Sequence, residues 1–260
     1  MSGKNDVGHM TFDGAPPGGR GVHPVVVLVS AIAEWEAVRG MFQDATIRRY
    51  PFGEWFAVEM SPAGAPMEVV FVHGGWGKIS AAASAQYAIG AWKPCLLVNL
   101  GTCGGFEGHV HLGDVLLVRR TVVYDIVEQM ADYYEAIEHY STDIDLSWLS
   151  EPPVPVVQAV LASGDRDLLP KDVKWLNERF GAVAGDWESG AIAYVARQNG
   201  VQSLILRGVS DIVGEDGSDA YGDLDLFRAR AEEIMRRLVA DLAAWLGVFP
   251  FHKCPRIPGF

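Results

Sequence analysis

A single α/β domain built on a largely parallel sheet is the fold this sequence predicts, and three observations carry that expectation. Short apolar runs alternate with helical patterns from residue 25 to residue 246. The runs are continuously apolar, as strands covered on both faces are. The last helical segment, 226–246, sets apolar residues at 227, 231, 234, 235, 238, 242, 245 and 246 with charges between them, a 3.6-residue stripe. Strands that alternate with helices argue for a parallel sheet joined by helical crossovers.

The first strand is expected at 25–30, where VVVLVS is an unbroken β-rich run, followed by a helix at 34–43. WFAVEM (55–60) and EVVFVH (68–73) predict the next two strands, and 78–91 a helix. CLLVNL (95–100), DVLLV (114–118) and VVQAVLA (156–162) continue the sheet. Helices are expected at 170–180 and 187–199, then a strand at QSLILR (202–207) before the long final helix. Residues 125–153, with their acids and EPPVP, form the longest irregular stretch. In a compact domain such a stretch serves as a lid or an interface element. With no repeat or linker, 25–248 reads as one domain between a Gly- and Pro-rich flexible leader (1–24) and a tail (249–260). The leader lacks the apolar segment of a secretory signal.

Composition excludes several partners. The 260 residues hold 33 Asp and Glu against 21 Lys and Arg, a formal charge of −12. Neither nucleic acid nor an anionic membrane suits such a chain without a basic patch, and no Lys/Arg run supplies one. Runs such as VVVLV (25–29) are strand-sized, far below the roughly 18 residues that span a bilayer. Cys95, Cys103 and Cys254 are too few and scattered for a disulfide framework or a zinc site, so reduced thiols in the cytoplasm are expected.

The acids concentrate at one edge. In a βαβ crossover the helix runs back along the sheet, so its N-terminus lies beside the strands' C-terminal ends. Glu188 opens the helix at 187–199 and Asp211 follows the strand at 202–207. Both are expected at the edge where open α/β sheets bind ligands. HGGWGK (73–78), NLGTCGG (99–105), ASGDRD (162–167) and SAIAEW (30–35) each follow a strand too, the last placing Glu34 at a helix start.

Singly, each has a plain structural reading. Glu188, following Asp186, and Glu34 suit the positive end of a helix dipole. Asp211 suits a turn; GTCGG lacks the Gly-Lys-Ser/Thr ending of a phosphate loop and suits a tight turn. Trp35, Trp55, Trp76 and Trp187 are of a type that cores use. Arg207, ending a buried strand, is less easily dismissed, because a buried guanidinium needs anionic partners. Their coincidence at one edge points to a site.

GGWGKISAAASAQYAIGAWKPCLLVNLGTCGGFEGHVHLGDVLLV (74–118), SGD (163–165), WESGAIA (187–193) and RGVSD (207–211) resemble, in this order, the blocks of the nucleoside phosphorylase/nucleosidase superfamily. The resemblance covers about residues 25–246. It implies a three-layer α/β/α fold of the purine nucleoside phosphorylase-like type, with a central mixed, mostly parallel sheet. Within the superfamily the sequence is more similar to methylthioadenosine/S-adenosylhomocysteine nucleosidases than to phosphorylases. Glu34 matches a Glu those hydrolases carry after the first strand, with Glu36 the alternative if the turn aligns differently. Asn99 stands where phosphorylases place an arginine. A carboxylate at that place repels phosphate, whereas beside a water it acts as a base.

The resemblance implies roles as well. Asp211 would be the acid on purine N7, Glu188 the acceptor for the ribose 2′- and 3′-hydroxyls, and Glu34 with Arg207 the holders of the attacking water. Trp187, Gly77, Trp76, Gly104, Asp167, Leu168 and Ser210 complete the implied substrate site. Breaking an N-glycosidic bond through an oxocarbenium-like sugar needs an acid at the leaving group and a base on the opposite face. Two carboxylates in different environments hold opposite protonation states. No metal or cofactor is implied.

Two departures bear on specificity. Trp187 replaces the Met usual before the ribose-binding Glu, and Arg166-Asp167 replaces an Ala-Phe pair whose ring covers adenine. Asp167 either accepts hydrogen bonds from a base edge or faces solvent, and Trp76 is expected to narrow the pocket near the ribose. The expectation is a homodimeric hydrolase of purine-type nucleosides, 5′-modified adenosines among them. A phosphorylase is the first rival and would draw charge from Arg39, Arg48, Arg49 or a partner subunit. A non-catalytic nucleoside-binding protein is the second; it would not need acid and base together.

Overall fold

The computed structural model describes residues 25–215 and 217–254. The expectation of a flexible leader over 1–24 lies outside the described residues, as does the end of the tail. In chain order the elements are β1 (Val25–Val29), α1 (Ile32–Met41), β2 (Arg48–Tyr50), β3 (Gly53–Met60), β4 (Met67–His73), α2 (Gly77–Trp92) and β5 (Leu96–Phe106). There follow β6 (Val115–Val123), α3 (Tyr133–Tyr140), β7 (Thr142–Asp143), β8 (Val157–Ser163), α4 (Pro170–Phe180) and β9 (Ala182–Asp186). The last are α5 (Ser189–Gln198), β10 (Gln202–Gly214), β11 (Gly217–Ser218) and α6 (Leu224–Val248).

Strand β1 explains the layering. Val25, Val27 and Val29 face one apolar layer, where Trp35 and Val38 of α1 meet Met235, Leu238 and Leu242 of α6. Val26 and Leu28 face the other, against Ala81, Ala85 and Ala88 of α2 and Ile192 and Ala196 of α5. With both faces buried, the strand has no use for polar alternation, hence its unbroken apolar run. The three expected layers are present.

The strand order is β11-β10-β6-β8-β9-β5-β1-β4-β3-β2, with β7 on β6. The centre is parallel, β1 with β4 and β5, and β5 with β10. Antiparallel pairs β2–β3, β3–β4 and β10–β11 form the margins. One half closes on itself: β5 pairs with β10, β10 with β6, β6 with β8, β8 with β9, and β9 again with β5. The open sheet expected from sequence is thus half sheet and half ring.

Several boundaries differ from expectation, for physical reasons. GTCGG is extended strand within β5 and not a turn, paired along its length with β10 across one register shift. Its glycines serve close packing: a Cβ on Gly105 would lie 2.6 Å from a Val110 methyl and 2.8 Å from a Val209 methyl. β10 likewise continues past Arg207 to Gly214, so Asp211 sits inside a strand, just after a register shift between Val209 and Asp211. The stretch 125–153 holds α3 and β7. Cys95 and Cys254 are joined in a disulfide, with Cα atoms 5.8 Å apart, which corrects the expectation of reduced thiols. A separation of 159 residues hid the pair from sequence reasoning. Phe249 and Phe251, in the stretch read as a tail, pack on the core beside Cys254. No helix among the described residues is long and apolar enough to cross a membrane.

Candidate functional site

A cavity of about 700 Å³ opens at the C-terminal ends of the central strands. Its wall includes Glu34, Thr102, Gly104, Asp186, Glu188 and Asp211, and its rim Ile32, Trp76, Asp167, Tyr221 and Phe227. Of the residues singled out in the sequence, Glu34, Glu188, Asp211, Trp76, Trp187, Gly104, Asp167, Leu168 and Ser210 line it, as does the alternative Glu36. Arg207 and Gly77 do not line it; each bonds to a residue that does. None of 125–153 lines it, so that stretch is no lid here; the cover comes from Ala220–Leu224, between β11 and α6.

Glu34 stands in the first turn of α1 and does two jobs. Its Oε2 accepts the Ala31 N–H at 3.2 Å, closing the helix N-terminus. Its Oε1 accepts the Thr102 N–H at 2.6 Å and the Thr102 hydroxyl at 2.8 Å, which fixes it to β5. Gly101 makes room: a Cβ there would lie 3.0 Å from Glu34 Oε1 and 3.1 Å from Arg207 Nη1. Burial raises the Glu34 carboxyl above the usual range, against the pull of Arg207 and of the Thr102 bonds.

An ion pair roots the wall in the sheet behind it. Arg207 Nε donates to Asp186 Oδ2 at 2.9 Å, with the two side chains 2% and 3% exposed. Arg207 Nη2 donates to Asn99 Oδ1 at 2.5 Å. Asp186 also accepts the Ser163 hydroxyl at 2.6 Å and the Ser189 N–H at 3.1 Å. Burial works against the guanidinium's charge, but Asp186, Glu34 and Glu188 hold it firmly protonated. Asp186, read from sequence as a helix-start acid, is therefore the missed anchor of the site. The requirement that a buried arginine have a carboxylate called for such a partner without saying which acid supplies it.

Glu188 precedes α5 and accepts the Gly77 N–H at 3.0 Å. Gly77 has φ of 80°, a left-handed conformation that glycine adopts without a steric cost, and this turn aims its N–H at the carboxyl. Burial first, then the charge of Asp186, pushes Glu188 up to about 8. The ring of Trp187 stacks on that of Trp76, with centroids 5.1 Å apart and planes 20° apart.

Asp211 faces the cavity from β10. Its Oδ1 accepts the Ser210 hydroxyl at 2.7 Å and its Oδ2 the Ser218 hydroxyl at 2.5 Å. Tyr221 donates its hydroxyl to the Leu168 carbonyl at 2.9 Å, joining the cover to the loop after β8. Arg166 bonds Asp172 at 2.6 Å, whereas Asp167 is exposed on the rim. Nothing in the sequence flagged Ser218 or Tyr221. Burial pushes the Cys103 thiol well up, so it is an unreactive wall atom. No group of three His, Cys, Asp or Glu among the described residues is placed to hold a metal ion.

Buried carboxylates around one cleft, at the strand ends of an α/β/α sheet, define a small-molecule site equipped for acid–base chemistry. Residues 27–244 match the family described as the phosphorylase superfamily, and the chain belongs to it. A 5′-methylthioadenosine/S-adenosylhomocysteine nucleosidase of Maridesulfovibrio salexigens is 28% identical over 181 residues, covering 65% of this chain and 78% of that one. One from Halalkalibacterium halodurans is 28% identical over 193 residues, 69% and 82% of the two chains. The crystal structure of a Streptococcus pneumoniae MTA/SAH nucleosidase in complex with 8-aminoadenine superposes with a TM-score of 0.70 at 19% identity, over 87% of this chain and all of that one.

Proposed function

We propose that this protein hydrolyses the N-glycosidic bond of a purine-type nucleoside, with 5′-modified adenosines foremost, releasing free base and free sugar. The nucleosidase relatives support the substrate class. One observation carries the choice of water over phosphate as nucleophile. The Thr102 N–H and hydroxyl, which would serve an incoming anion, are both taken by the Glu34 carboxylate. A phosphate there would meet a negative charge at contact distance in a site of low polarity. Arg39 bonds Glu54 and Arg48 lies over the Trp55 ring, and neither they nor Arg49 line the cavity; Arg166 and Arg228, which do, are paired with Asp172 and Asp225.

In this reading Asp211 delivers a proton to the purine as the glycosidic bond lengthens, and the base leaves neutral. Glu188 holds the ribose hydroxyls; carrying its own proton near neutral pH, it donates to one hydroxyl while accepting from another. Glu34, made more basic by burial, takes the proton of the attacking water on the opposite face. Arg207 positions this set through Asp186 and Asn99. The chemistry calls on no metal or cofactor. Residues 25–248, with the packed segment from Phe249 to Cys254, form the working domain of the proposal, and a homodimer its assembly. The apolar side chains of Trp76, Ile79 and Met130, well exposed on the single chain, suit a subunit contact.

The test is a panel of nucleosides, 5′-modified adenosines included, assayed for free base with and without phosphate. Release without phosphate, with free sugar as co-product, is expected. Release that requires phosphate, or binding without turnover, would overturn the reading. Sedimentation at micromolar concentration tests the dimer; a monomer refutes it.

A further inference from the structure

The cover over the cavity does more than exclude solvent. Ser218 lies on β11, the short strand that folds back on the end of β10 through Val213↔Ser218 pairing. Its Oγ accepts the Ala220 N–H at 3.1 Å, which leaves the hydroxyl hydrogen free to point at Asp211 Oδ2, 2.5 Å away. The hydroxyl is thereby oriented as a donor. Ser210, on the other carboxylate oxygen, is different: its Oγ is 2.7 Å from Asp211 Oδ1 and 3.2 Å from the Cys103 carbonyl, and one hydrogen serves only one of them at a time. When Asp211 is ionised, Ser210 donates to it; when Asp211 is protonated on Oδ1, Ser210 accepts and turns its own hydrogen to Cys103. Ser218 has no second acceptor among the described residues, so its hydrogen stays on Asp211. The segment carrying Ser218 is held down at its far end by the Tyr221 hydroxyl on the Leu168 carbonyl.

We propose that Ser218 is a positioning residue for Asp211, fixing the carboxyl plane and stabilising the carboxylate left after the proton has gone to the base. The inference rests on the nucleoside-cleaving reading, and it couples the acid to closure of the 217–224 cover: with the cover displaced, Asp211 keeps only the ambivalent partner. A hydrogen bond to a charged group is worth on the order of 10- to 100-fold in rate when it forms fully only as charge develops.

Ser218→Ala and Ser218→Thr test it in the full chain, with the wild type alongside. For S218A, kcat should fall on the order of 10- to 100-fold while KM stays within about twofold. Because a donor to the carboxylate favours its charged form, removing it should also displace the alkaline limb of the kcat profile upward. S218T, which keeps the hydroxyl, should restore both. An S218A enzyme with unchanged kcat and alkaline limb overturns the proposal. So does a loss of activity matched by a lower thermal midpoint with the limb unmoved, since that is a folding effect. If the wild type releases no base from any nucleoside, the catalytic reading itself has failed. Crystal structures then decide: an Asp211 carboxyl that keeps its plane in S218A refutes positioning, and a rotated one supports it.

Discussion

Replacing Glu188 by Gln changes one atom and removes an ionisable proton from a nearly closed site. The Gly77 N–H keeps an oxygen to bond, so the turn between β4 and α2 is preserved. A rise from 4.5 to about 8 means that the folded state holds the proton more tightly than the unfolded one. This contribution to stability is full below about pH 4.5 and is lost as the pH climbs through about 8. At about 1.4 kcal/mol per pH unit, ionising the buried carboxyl costs the fold roughly 3 kcal/mol more at pH 8 than at pH 5.5. Gln carries no such cost. E188Q should therefore match the wild type in acid and gain on it steadily toward alkaline pH. For a chain of this size, about 2–4 °C in thermal midpoint accompanies each kcal/mol. Thermal and urea denaturation at pH 5.5, 7 and 8 read the difference directly. A difference that is constant across that range, or that shrinks as pH rises, refutes the argument that burial beside Asp186 holds the proton on Glu188.

Asp211→Asn should lower turnover by about 100- to 10,000-fold with substrate affinity nearly unchanged, because an amide keeps the shape and cannot deliver the proton; an active D211N removes Asp211 as the acid. Glu34→Gln should abolish hydrolysis while Glu36→Gln leaves it near wild type, since only Glu34 is fixed to Thr102; rate measurements on the pair decide, and the reverse pattern shifts the base by two positions. Cys254→Ser should lower stability by up to about 5 kcal/mol, the loop-entropy value for a closure of this length. Dithiothreitol should do the same to the wild type and nothing further to C254S, and midpoints insensitive to both would show that the bond contributes nothing.

The layers were legible because β1 is apolar at every position, and α6 because its stripe keeps a helical period over its whole length. The site edge was legible because acids recur after strands. What could not be read were places where composition misstates geometry. In GTCGG the glycines suggested a turn, yet they are strand residues whose missing side chains admit Val110, Val209 and the side chains of Glu34 and Arg207. β2 has three residues, RRY, without an apolar pattern, and β9, AVAGD, has only three apolar residues before Gly-Asp; both owe their form to partner strands. Asp186 was hidden because the property that matters, an arginine arriving from a strand 21 residues later, is a contact and not a motif. Ser218 and Tyr221 were hidden for the same reason.

The ring of strands has a consequence for how the protein comes into being. β5 cannot complete its pairing until β10 arrives, more than a hundred residues later in the chain, where Leu96 meets Gln202 and Gly104 meets Asp211. During synthesis one side of β5 is therefore an uncovered edge, exposed for as long as the ribosome needs to deliver β10. Contacts of such long reach also make folding slow. Arg207, Asp211 and the final bond to Asp186 arrive together on that one strand, so the site and the closed ring are completed in a single late event. A chain truncated before β10 would be a sheet with an open edge and no chemistry, whereas the finished ring has nowhere left to add a strand.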